Sequence, residues 1–503
     1  MTSSRRRWLV ALPVAALLAT TAGAAVAQDS SPGAGEDFTG VTVNVVTFTG
    51  PPIDEPLRRH AAEWSAQTGG TINITNYPFS DLYQRALTDV STGTNSFDLM
   101  TLAAPWLGDF AAGGYIDDLS DRIANAPEIA WDDVAPFFRD YVASYGGKPY
   151  GVVIDGDFLM VYYRSDILEA GGDQPPKTWD EYLALAEKYD GQDLNGDGEA
   201  DYGSCLPKAR SGVGTWHFNG VLAPFLQTQG TSQGMFFGDN MEPLINNAAM
   251  SAALDIWQKA GEFGPPDEIN LDQQGARDMF VSGRCAVNID WGDTGVLAID
   301  PATSQIIDKW GAVPMPGSTQ VLDRATGELV ACDETICPHA IDGINVAPFG
   351  AFGGWAGVIN SAAEDRVKDA AFDFISYVSA PEQSNKDVTV GITGMNPYRL
   401  SQLDTSDLSQ WIESGFSETS ATAYLEAIRD SLASPNFVLD LRIGQANNYT
   451  NVLEDTGIAQ FLAGELTKEQ AMQQIYDAWQ ELTDQIGRDS QAAAWADSLG
   501  VER

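Results

Sequence analysis

Basic residues are scarce in this sequence of 503 residues. Lysine and arginine together number 28, against 70 aspartates and glutamates, which gives a formal net charge of −42 at pH 7. A field of that sign repels nucleic acid and anionic lipid and keeps a protein in solution. We therefore predict no nucleic-acid partner.

Residues that could carry catalysis are also few. The three histidines, His60, His217 and His339, lie far apart, and none belongs to an HExxH motif. No GxSxG elbow, P-loop or GxGxxG motif follows a predicted strand. Paired carboxylates such as Asp155 and Asp157 could serve glycoside hydrolysis, but such pairs are expected by chance among 70 acidic residues. We predict that the protein is not an enzyme and has no catalytic cofactor.

Long apolar runs are missing. A membrane-spanning helix needs about 20 apolar residues, and the run Leu9–Ala19 is shorter. With three arginines before it and Ala25-Val26-Ala27 after it, this run has the three parts of a secretory signal peptide, which we place at 1–27. A linker rich in Ser, Pro, Gly and Asp follows at 28–37.

The type of export signal is less sharply defined. Residues 4–9 approximate a twin-arginine signal with Trp8 in place of the usual Phe, although a plain basic segment is the favoured interpretation. The first cysteine is Cys205, so no thiol near the cleavage site could be lipidated. We expect a soluble exported protein that is not a lipoprotein.

Only four cysteines are present, and exported proteins commonly pair them. Cys332 and Cys337 bracket a loop of four residues, short enough to close locally, which would pair Cys205 with Cys285. Three pairings are possible, and this one is favoured. The alternatives are that one or both pairs stay reduced, or that Cys332, Cys337 and His339 hold a metal, which would lack a fourth ligand nearby.

Strand and helix patterns alternate along the first part of the chain. Buried strands are predicted over 41–48, 71–77 and 97–102, each followed by a helical pattern. This βαβαβ order favours a mostly parallel sheet with helices on both faces. The pattern restarts beyond residue 159, and the tail from Ala423 to Leu499 is helical apart from breaks near Ser434-Pro435 and Gly464. We predict two α/β lobes with a helical C-terminal extension.

The sharpest local motif is a loop at 193–201 with the pattern of an EF-hand. Oxygen-bearing side chains stand at positions 1, 3, 5 and 9, and Gly196 occupies the sharp turn at position 6. The twelfth position is Ser204 instead of the bidentate Glu, which excludes a full EF-hand. The alternatives are a structural Ca²⁺ site and a surface turn with no ion; the calcium ligands would be Asp193, Asn195, Asp197, Glu199 and Asp201.

Aromatic residues supply a second signal. Trp106, Trp216, Trp291 and Trp355 each lie at or just beyond a predicted strand end, beside glycine or a polar residue. Large aromatics at such junctions often line a ligand crevice, where they can stack on the apolar face of a sugar ring. The other interpretation of any one of them is simple packing between sheet and helix.

Several segments together resemble one family across nearly the whole of the chain after the signal peptide. They are 97–100, 106–119, 148–152, 159–164, 279–287 with 291–293, and 353–358 before a helix that contains 371–375. In order and spacing these segments resemble the extracellular solute-binding proteins of family 1, the maltose-binding-protein-like receptors of ABC importers. The loop at 193–201 is similar to an insertion in some members.

The resemblance implies a two-lobed periplasmic-binding-protein fold of type II. One lobe would comprise 38–153 with 356–395, and the other 157–352 with 397–503. Three crossings would join the lobes near 151–157, 351–355 and 393–397, and hinge closure would bury a ligand in the cleft. The cleft candidates are Thr49, Trp106, Asp155, Asp157, Trp216, Trp291, Asp293, Trp355 and Arg399.

The resemblance also implies partners and a location. The protein would be a periplasmic monomer that captures a sugar or polyol and docks on a membrane permease. Two other functions stay open: the same fold binding a non-sugar solute such as a polyamine or phosphodiester, and a secreted glycoside hydrolase. Several tryptophan faces with neutral hydroxyl-binding groups would suit a sugar, whereas a cage of carboxylates would suit a cation.

Overall fold

A computed structural model describes residues 36–210, 213–391 and 393–500. The predicted signal peptide, with its possible twin-arginine signal, and nearly all of the predicted linker lie outside the described residues. Within the described residues, no helix is both long and apolar enough to cross a membrane.

The described residues form short strands and many helices. In chain order the strands are β1 (Thr42–Phe48), β2 (Thr71–Tyr77), β3 (Leu99–Ala103), β4 (Ser144–Tyr145), β5 (Lys148–Pro149), β6 (Gly151–Val153), β7 (Met160–Arg164), β8 (Tyr202–Cys205), β9 (Cys285–Asp290), β10 (Trp310–Pro314), β11 (Gln320–Leu322), β12 (Leu329–Ala331), β13 (Phe349–Gly350), β14 (Trp355–Ile359) and β15 (Val438–Leu439). The helices are α1 (Pro51–Thr68), α2 (Phe79–Ser91), α3 (Ala104–Ala112), α4 (Ser120–Ala124), α5 (Ser165–Gly171), α6 (Trp179–Tyr189), α7 (Val213–Leu226), α8 (Ala248–Gly261), α9 (Gln273–Val281), α10 (Asp293–Leu297), α11 (Asp365–Ser379), α12 (Pro381–Asp387), α13 (Ser409–Ser414), α14 (Glu418–Leu432), α15 (Asp455–Leu462), α16 (Lys468–Ile486) and α17 (Arg488–Ser498).

The first sheet has five strands in the order β2-β1-β3-β14-β6. Strand β1 pairs in parallel with β2 and β3, as the βαβαβ pattern predicted. Strand β14, however, is antiparallel to both β3 and β6, so the sheet is mixed. The reason is topological: β14 is supplied by a distant part of the chain that enters the sheet from its opposite end.

The second sheet has four strands in the order β10-β7-β9-β8. Strand β7 is antiparallel to β10 and β9, and only the pair β8 and β9 is parallel. Neither sheet is therefore mostly parallel as predicted, because parallel pairing is confined to β2-β1-β3 in the first sheet and to β8-β9 in the second. The side chain of Thr178 accepts the backbone N–H of Glu181 and caps the N-terminus of helix α6.

The C-terminal part is less continuously helical than predicted. The break expected near Ser434-Pro435 runs from residue 433 to 447, because β15 lies inside it and pairs in parallel with β13. A π-helix at Asn448–Glu454 then leads into α15. The second break falls where predicted, between α15 and α16, where Gly464 adopts a positive φ of 72°. A short strand of two residues has too little pattern to be found in sequence.

Both predicted cysteine pairs are formed. Cys205 at the end of β8 is bonded to Cys285 at the start of β9, with a Cα–Cα distance of 5.9 Å. Cys332 is bonded to Cys337, with a Cα–Cα distance of 5.5 Å. All four cysteines are therefore used in disulfides, which leaves no thiolate for the alternative metal site with His339.

The two disulfides should differ in their contribution to stability. The Cys205–Cys285 bond spans 80 residues and the Cys332–Cys337 bond spans 5, and closing a longer loop removes more entropy from the unfolded chain. We expect the double change Cys205→Ala with Cys285→Ala to lower the free energy of unfolding by about 2–5 kcal/mol. Chemical denaturation measures this loss.

The matched control is the change of Cys332 and Cys337 to alanine. It should cost about 2 kcal/mol less than the loss of the longer link, on the chain-entropy model. Equal losses in the two double variants would contradict the loop-length argument.

Candidate functional site

Three passes of the chain meet between the two sheets. They are residues 154–159, which join β6 to β7, residues 351–354 before β14, and residues 393–397 after α12. The N–H of Ile154 donates to the carbonyl of Trp355 at 2.9 Å, and the N–H of Asn396 donates to Asp155 Oδ1 at 2.6 Å. The predicted crossing segments therefore lie side by side.

Glycine makes this close approach possible. Gly354 has a φ of 111°, which strains a residue with a side chain, and a Cβ atom there would lie 2.2 Å from the carbonyl oxygen of Asp155. The role of Gly354 in the structure is to let two chain passes touch.

A cavity of about 420 Å³ adjoins these passes. Seven of the nine predicted cleft residues line it: Thr49, Asp155, Asp157, Trp216, Trp291, Asp293 and Trp355. The other lining residues are Phe48, Pro52, Ile53, Phe79, Ser80, Val213, Gln273, Arg277, Phe352 and Gly394. The walls thus come from residues that follow strands of both sheets and from the chain passes between them.

Aromatic rings form a continuous wall of the cavity. Phe48, at the end of β1, stacks on Trp355 with ring centroids 4.9 Å apart. Phe352 meets Trp355 and Trp216 edge to face, each at 5.0 Å. Phe79, at the start of α2, contacts Trp216 of α7 at 6.2 Å across the cavity, so rings carried by the two halves of the molecule touch.

Two predicted cleft residues lie elsewhere. Trp106 is 1% exposed and packs behind the wall, 5.7 Å from Trp355, so it supports the rings without lining the cavity. Arg399 is fully buried, and its guanidinium donates to Ser384 Oγ at 3.0 Å and to the carbonyl of Ile129 at 2.9 Å. Because these groups hold Arg399 inside the protein, its side chain does not reach the cavity.

Several residues that line the cavity were not among the nine predicted cleft residues. Phe79 follows β2 directly, so it carries the same signal as the tryptophans, an aromatic ring beyond a strand end. Phe352, which precedes the two glycines, could have been found in the same way. Arg277 and Gln273 gave no such signal, because polar residues on a helix usually face solvent.

Arg277 is held by two carboxylates. Its Nε lies 2.5 Å from Asp290 Oδ2, and its Nη2 lies 2.8 Å from Asp293 Oδ2. Although burial opposes ionisation of Asp290, the adjoining guanidinium lowers the pKa of Asp290 below its ordinary value. Thr294 Oγ1 also donates to Asp290 at 2.5 Å. Asp290 is therefore an ionised anchor for Arg277.

Asp155 and Asp157 are more weakly compensated. Burial raises the pKa of Asp155 to about 8. Burial, together with repulsion by Asp155 and Asp293, also raises the pKa of Asp157 well above its ordinary value. Asn396 Nδ2 donates to Asp157 Oδ1 at 3.0 Å, while Asp155 Oδ2 has no hydrogen-bond partner. These two carboxyl groups therefore take up a proton more readily than an ordinary aspartate does.

A second group of buried acids supports the aromatic wall from behind. Asp440 Oδ2 accepts Trp216 Nε1 at 2.8 Å and the N–H of Phe352 at 3.0 Å, which fixes both rings. Burial raises the pKa of Asp440 to about 6 and that of Glu454 to about 8. Asn219 Nδ2 donates to Glu454 Oε2 at 3.3 Å.

Side chains of the predicted calcium loop accept hydrogen bonds from the loop's own backbone N–H groups. The Asp193 carboxylate accepts the N–H groups of Gly196, Asp197 and Gly198, and Asn195 Oδ1 accepts that of Asp197 as well. Asp197 Oδ1 in turn accepts the N–H of Glu199.

The carboxylate of Asp201, the fifth predicted ligand, is also bound by groups of the protein. Its carboxylate pairs with Arg284 Nε at 3.1 Å and accepts the N–H of Leu194 at 2.8 Å. Across residues 36–210, 213–391 and 393–500, no three His, Cys, Asp or Glu side chains are grouped to hold a metal. The prediction of Ca²⁺ at this loop is therefore not supported, because its oxygens satisfy backbone N–H groups and an arginine.

Comparison with known proteins identifies the family. Residues 50–385 match the family described as bacterial extracellular solute-binding protein. The chain belongs to this family. Membership places the solute-binding protein outside the cytoplasmic membrane, and it agrees with the family resemblance found in the sequence.

Individual relatives are distant but cover much of the chain. A probable amino-acid ABC transporter periplasmic-binding protein of Sinorhizobium fredii is 22% identical over 80% of this chain and 83% of its own length. The mannitol-binding protein of Pseudomonas aeruginosa is 27% identical over 49% of this chain and 54% of its own length.

A solved structure shows the same fold. The solute-binding protein of an ABC transporter from Agrobacterium radiobacter K84, in complex with ribitol, has a TM-score of 0.70 at 20% identity. The match covers 89% of this chain and 100% of that one. This solute-binding protein therefore has the two-lobed α/β fold that the sequence predicted.

Glu454 should make the stability of the free protein depend on pH. A carboxyl group with a raised folded-state pKa stabilises the fold below its unfolded pKa, and that contribution is lost as pH rises through the folded value of about 8. Because one pKa unit corresponds to about 1.4 kcal/mol, Glu454→Gln should be more stable than the parent at pH 8.5 by at least about 1 kcal/mol. The two proteins should be nearly equal at pH 5.

Urea denaturation at pH 5 and pH 8.5 measures this difference. The exposed pair of Lys259 and Glu262 offers a matched control, because Glu262→Gln removes a surface carboxylate whose side chain is 58% exposed. A Glu454→Gln variant that is less stable than the parent at pH 8.5 would show that Glu454 is ionised in the fold.

Proposed function

We propose that this protein is the substrate-binding component of an ABC importer. It captures a carbohydrate or polyol in the cavity and delivers it to a membrane permease. The proposal is supported by family membership and by the ligands of its relatives, since one is named for mannitol and one was solved with ribitol. The observation that carries it is the aromatic wall formed by Phe48, Trp355 and Trp216.

The cavity has the composition of a sugar site. Aromatic faces pack on the C–H surface of a polyol or sugar ring, and polar groups such as Thr49, Gln273 and Arg277 can bond its hydroxyls. A volume of about 420 Å³ lies at the small end of ligand pockets, which range over about 300–1,000 Å³. This size favours a hexitol or a monosaccharide over a long oligosaccharide.

Capture would work by hinge closure. We assign one lobe to residues 38–153 with 356–395 and the other to 157–352 with 397–503, joined by the three adjacent chain passes. The contact of Phe79 with Trp216 across the cavity is what a closed state would have. A ligand that touches both walls stabilises this state over an open one, because its contacts with both are complete only there.

The remaining features follow from the same proposal. The protein would be exported by the cleaved signal peptide at 1–27, by the general or the twin-arginine route, and would act in the periplasm as a monomer. It would release its ligand unchanged, without catalysis. An increase in reducing ends on incubation with oligosaccharides would indicate a glycoside hydrolase instead.

A second candidate is the same fold binding a non-sugar cation such as a polyamine. The carboxyl groups of Asp155, Asp157 and Asp293 in the cavity favour it, and they disfavour a phosphodiester. The Sinorhizobium relative, named for amino acids, also shows that the family name alone does not fix the ligand.

A ligand screen with ring variants tests the function. A ligand that binds only the native state raises the melting temperature, so sugars and polyols can be screened by thermal shift. For a sugar or polyol that binds, we expect Trp355→Ala to weaken binding at least about tenfold, because truncating a buried aromatic anchor costs about 2 kcal/mol or more. Calorimetric titration measures the affinities.

The matched control is Trp131→Ala, since Trp131 is partly buried and does not line the cavity. Its affinities should stay within about twofold of the parent. A screen in which polyamines bind and no sugar or polyol does would favour the second candidate.

Gly354→Ala tests the hinge. A Cβ atom at this position would meet the carbonyl of Asp155 at 2.2 Å, so the closed arrangement of the two passes should become unfavourable. We expect ligand affinity to fall at least about tenfold, and small-angle scattering to show no compaction when ligand is added.

Gly343→Ala is the control for backbone strain alone. Gly343 also has a positive φ, of 76°, but a Cβ atom there would meet no atom within 4 Å. If both variants lost affinity equally, the contact between the two passes would have no special part in closure.

A further inference from the structure

Carboxyl groups outnumber cations in the cavity. Asp155, Asp157 and Asp293 line it, and Arg277 is the one cation among its lining residues in the described part of the chain. The charge of Arg277 is already shared between Asp290 at 2.5 Å and Asp293 at 2.8 Å. Asp155 and Asp157 are therefore left without a cation of their own.

The partners that these two groups do have are neutral. Asn396 donates its backbone N–H to Asp155 and its side-chain amide to Asp157 at 3.0 Å and to Asp293 at 3.4 Å. Neutral amides satisfy lone pairs but supply no charge. A buried carboxylate without a cation is unfavourable unless it takes up a proton or meets a positive ligand.

One carboxylate oxygen remains free. Asp155 is 1% exposed, it lines the cavity, and its Oδ2 has no hydrogen-bond partner. A buried acceptor without a donor is costly, and native proteins seldom leave one. A donor from the ligand would satisfy this atom.

The aromatic wall favours positive charge as well. The faces of tryptophan and phenylalanine rings attract a cation, most strongly where water is excluded. Trp355, Trp216 and Trp291 line the same cavity as Asp155 and are each at most 5% exposed. Rings and carboxylates therefore make two independent contributions that select the same charge.

We propose that the natural ligand is a polyhydroxylated molecule that carries one protonated amine, such as an amino sugar or an amino polyol, and that this ammonium group binds between Asp155 and Asp157. This inference rests on the proposed function and narrows it. The hydroxyl-bearing carbon skeleton lies against Trp355 and Phe48, and Arg277 and Gln273 bind hydroxyls. A hydroxyl in place of the amine can donate a hydrogen bond, but it brings no positive charge to favour the ionised form of these carboxyl groups.

Probe pairs that differ in one group test this on the unaltered protein. Titration calorimetry at pH 7 should compare D-glucitol with 1-amino-1-deoxy-D-glucitol, and D-glucose with D-glucosamine. N-acetyl-D-glucosamine retains the nitrogen without its charge. We expect at least one amine to bind at least about tenfold more tightly than its hydroxyl partner, a factor equivalent to about 1.4 kcal/mol, and acetylation to abolish that preference.

Variants then assign the preference to the two carboxyl groups. Asp157→Asn and Asp155→Asn should each reduce the ratio of amine to hydroxyl affinity at least about fivefold. Asp140→Asn is the matched control, because the Asp140 side chain is 62% exposed and does not line the cavity; it should leave the ratio unchanged. The ratio is read on variants whose circular dichroism and melting temperature show that they are folded.

The outcomes separate the two proposals. Binding of hydroxyl probes as tight as or tighter than that of the amines would overturn the inference while leaving the sugar-binding function in place. Equal ratios in the parent and in both folded aspartate variants would overturn the assignment to Asp155 and Asp157. Absence of binding by every sugar, polyol and amine probe would instead contradict the proposed function itself.

Discussion

The hydrogen bond from the backbone N–H of Asn396 to Asp155 is the contact on which the arrangement of this protein depends. It joins two of the chain passes between the sheets, and the third touches them at Gly354. The same carboxyl group forms part of the cavity wall. One residue both joins the passes and faces the cavity. In the proposed hinge closure, a ligand that contacts Asp155 would therefore act directly on the segments between the two sheets, and binding would be coupled to closure without a longer pathway.

The aromatic wall adds a second coupling. Phe79 and Trp216 approach each other from the two halves, and the ring of Trp216 is held from behind by Asp440, which also binds the N–H of Phe352. Opening the cleft would expose these rings to water, which is unfavourable. Asp440 therefore holds the Trp216 ring and the backbone of Phe352 in place independently of a ligand.

Local sequence patterns were sufficient to predict much of the fold. The alternation of strands and helices that forms β1, β2 and β3 was predicted from neighbouring residues, and the cysteine pairing was predicted from the spacing of the cysteines. Seven of the nine proposed cleft residues line the cavity, and most of them lie at or just beyond a strand end or in a chain pass between the two sheets. The prediction that Arg399 lines the cleft was wrong because its buried partners, Ser384 and Ile129, come from distant segments that no local pattern connects to it. The antiparallel β14 and the short β15 also depend on pairing with distant segments. The loop at 193–201 shows a different limit: its motif specifies oxygen-bearing side chains but does not determine which groups those oxygens bind.

The buried acids behind and within the cavity oppose stability. Asp155, Asp157 and Glu454 all have raised pKa values because burial disfavours their charge, so folding shifts these groups toward their protonated forms. Well-packed apolar residues would serve the fold better at these positions. Asp155 and Asp157 differ from Glu454 because they line the cavity. A positively charged ligand there can make their ionised forms favourable. Two buried carboxyl groups beside aromatic rings are a local disadvantage that a positively charged ligand would reverse. In the proposed hinge closure, the free energy recovered on binding would favour the closed state.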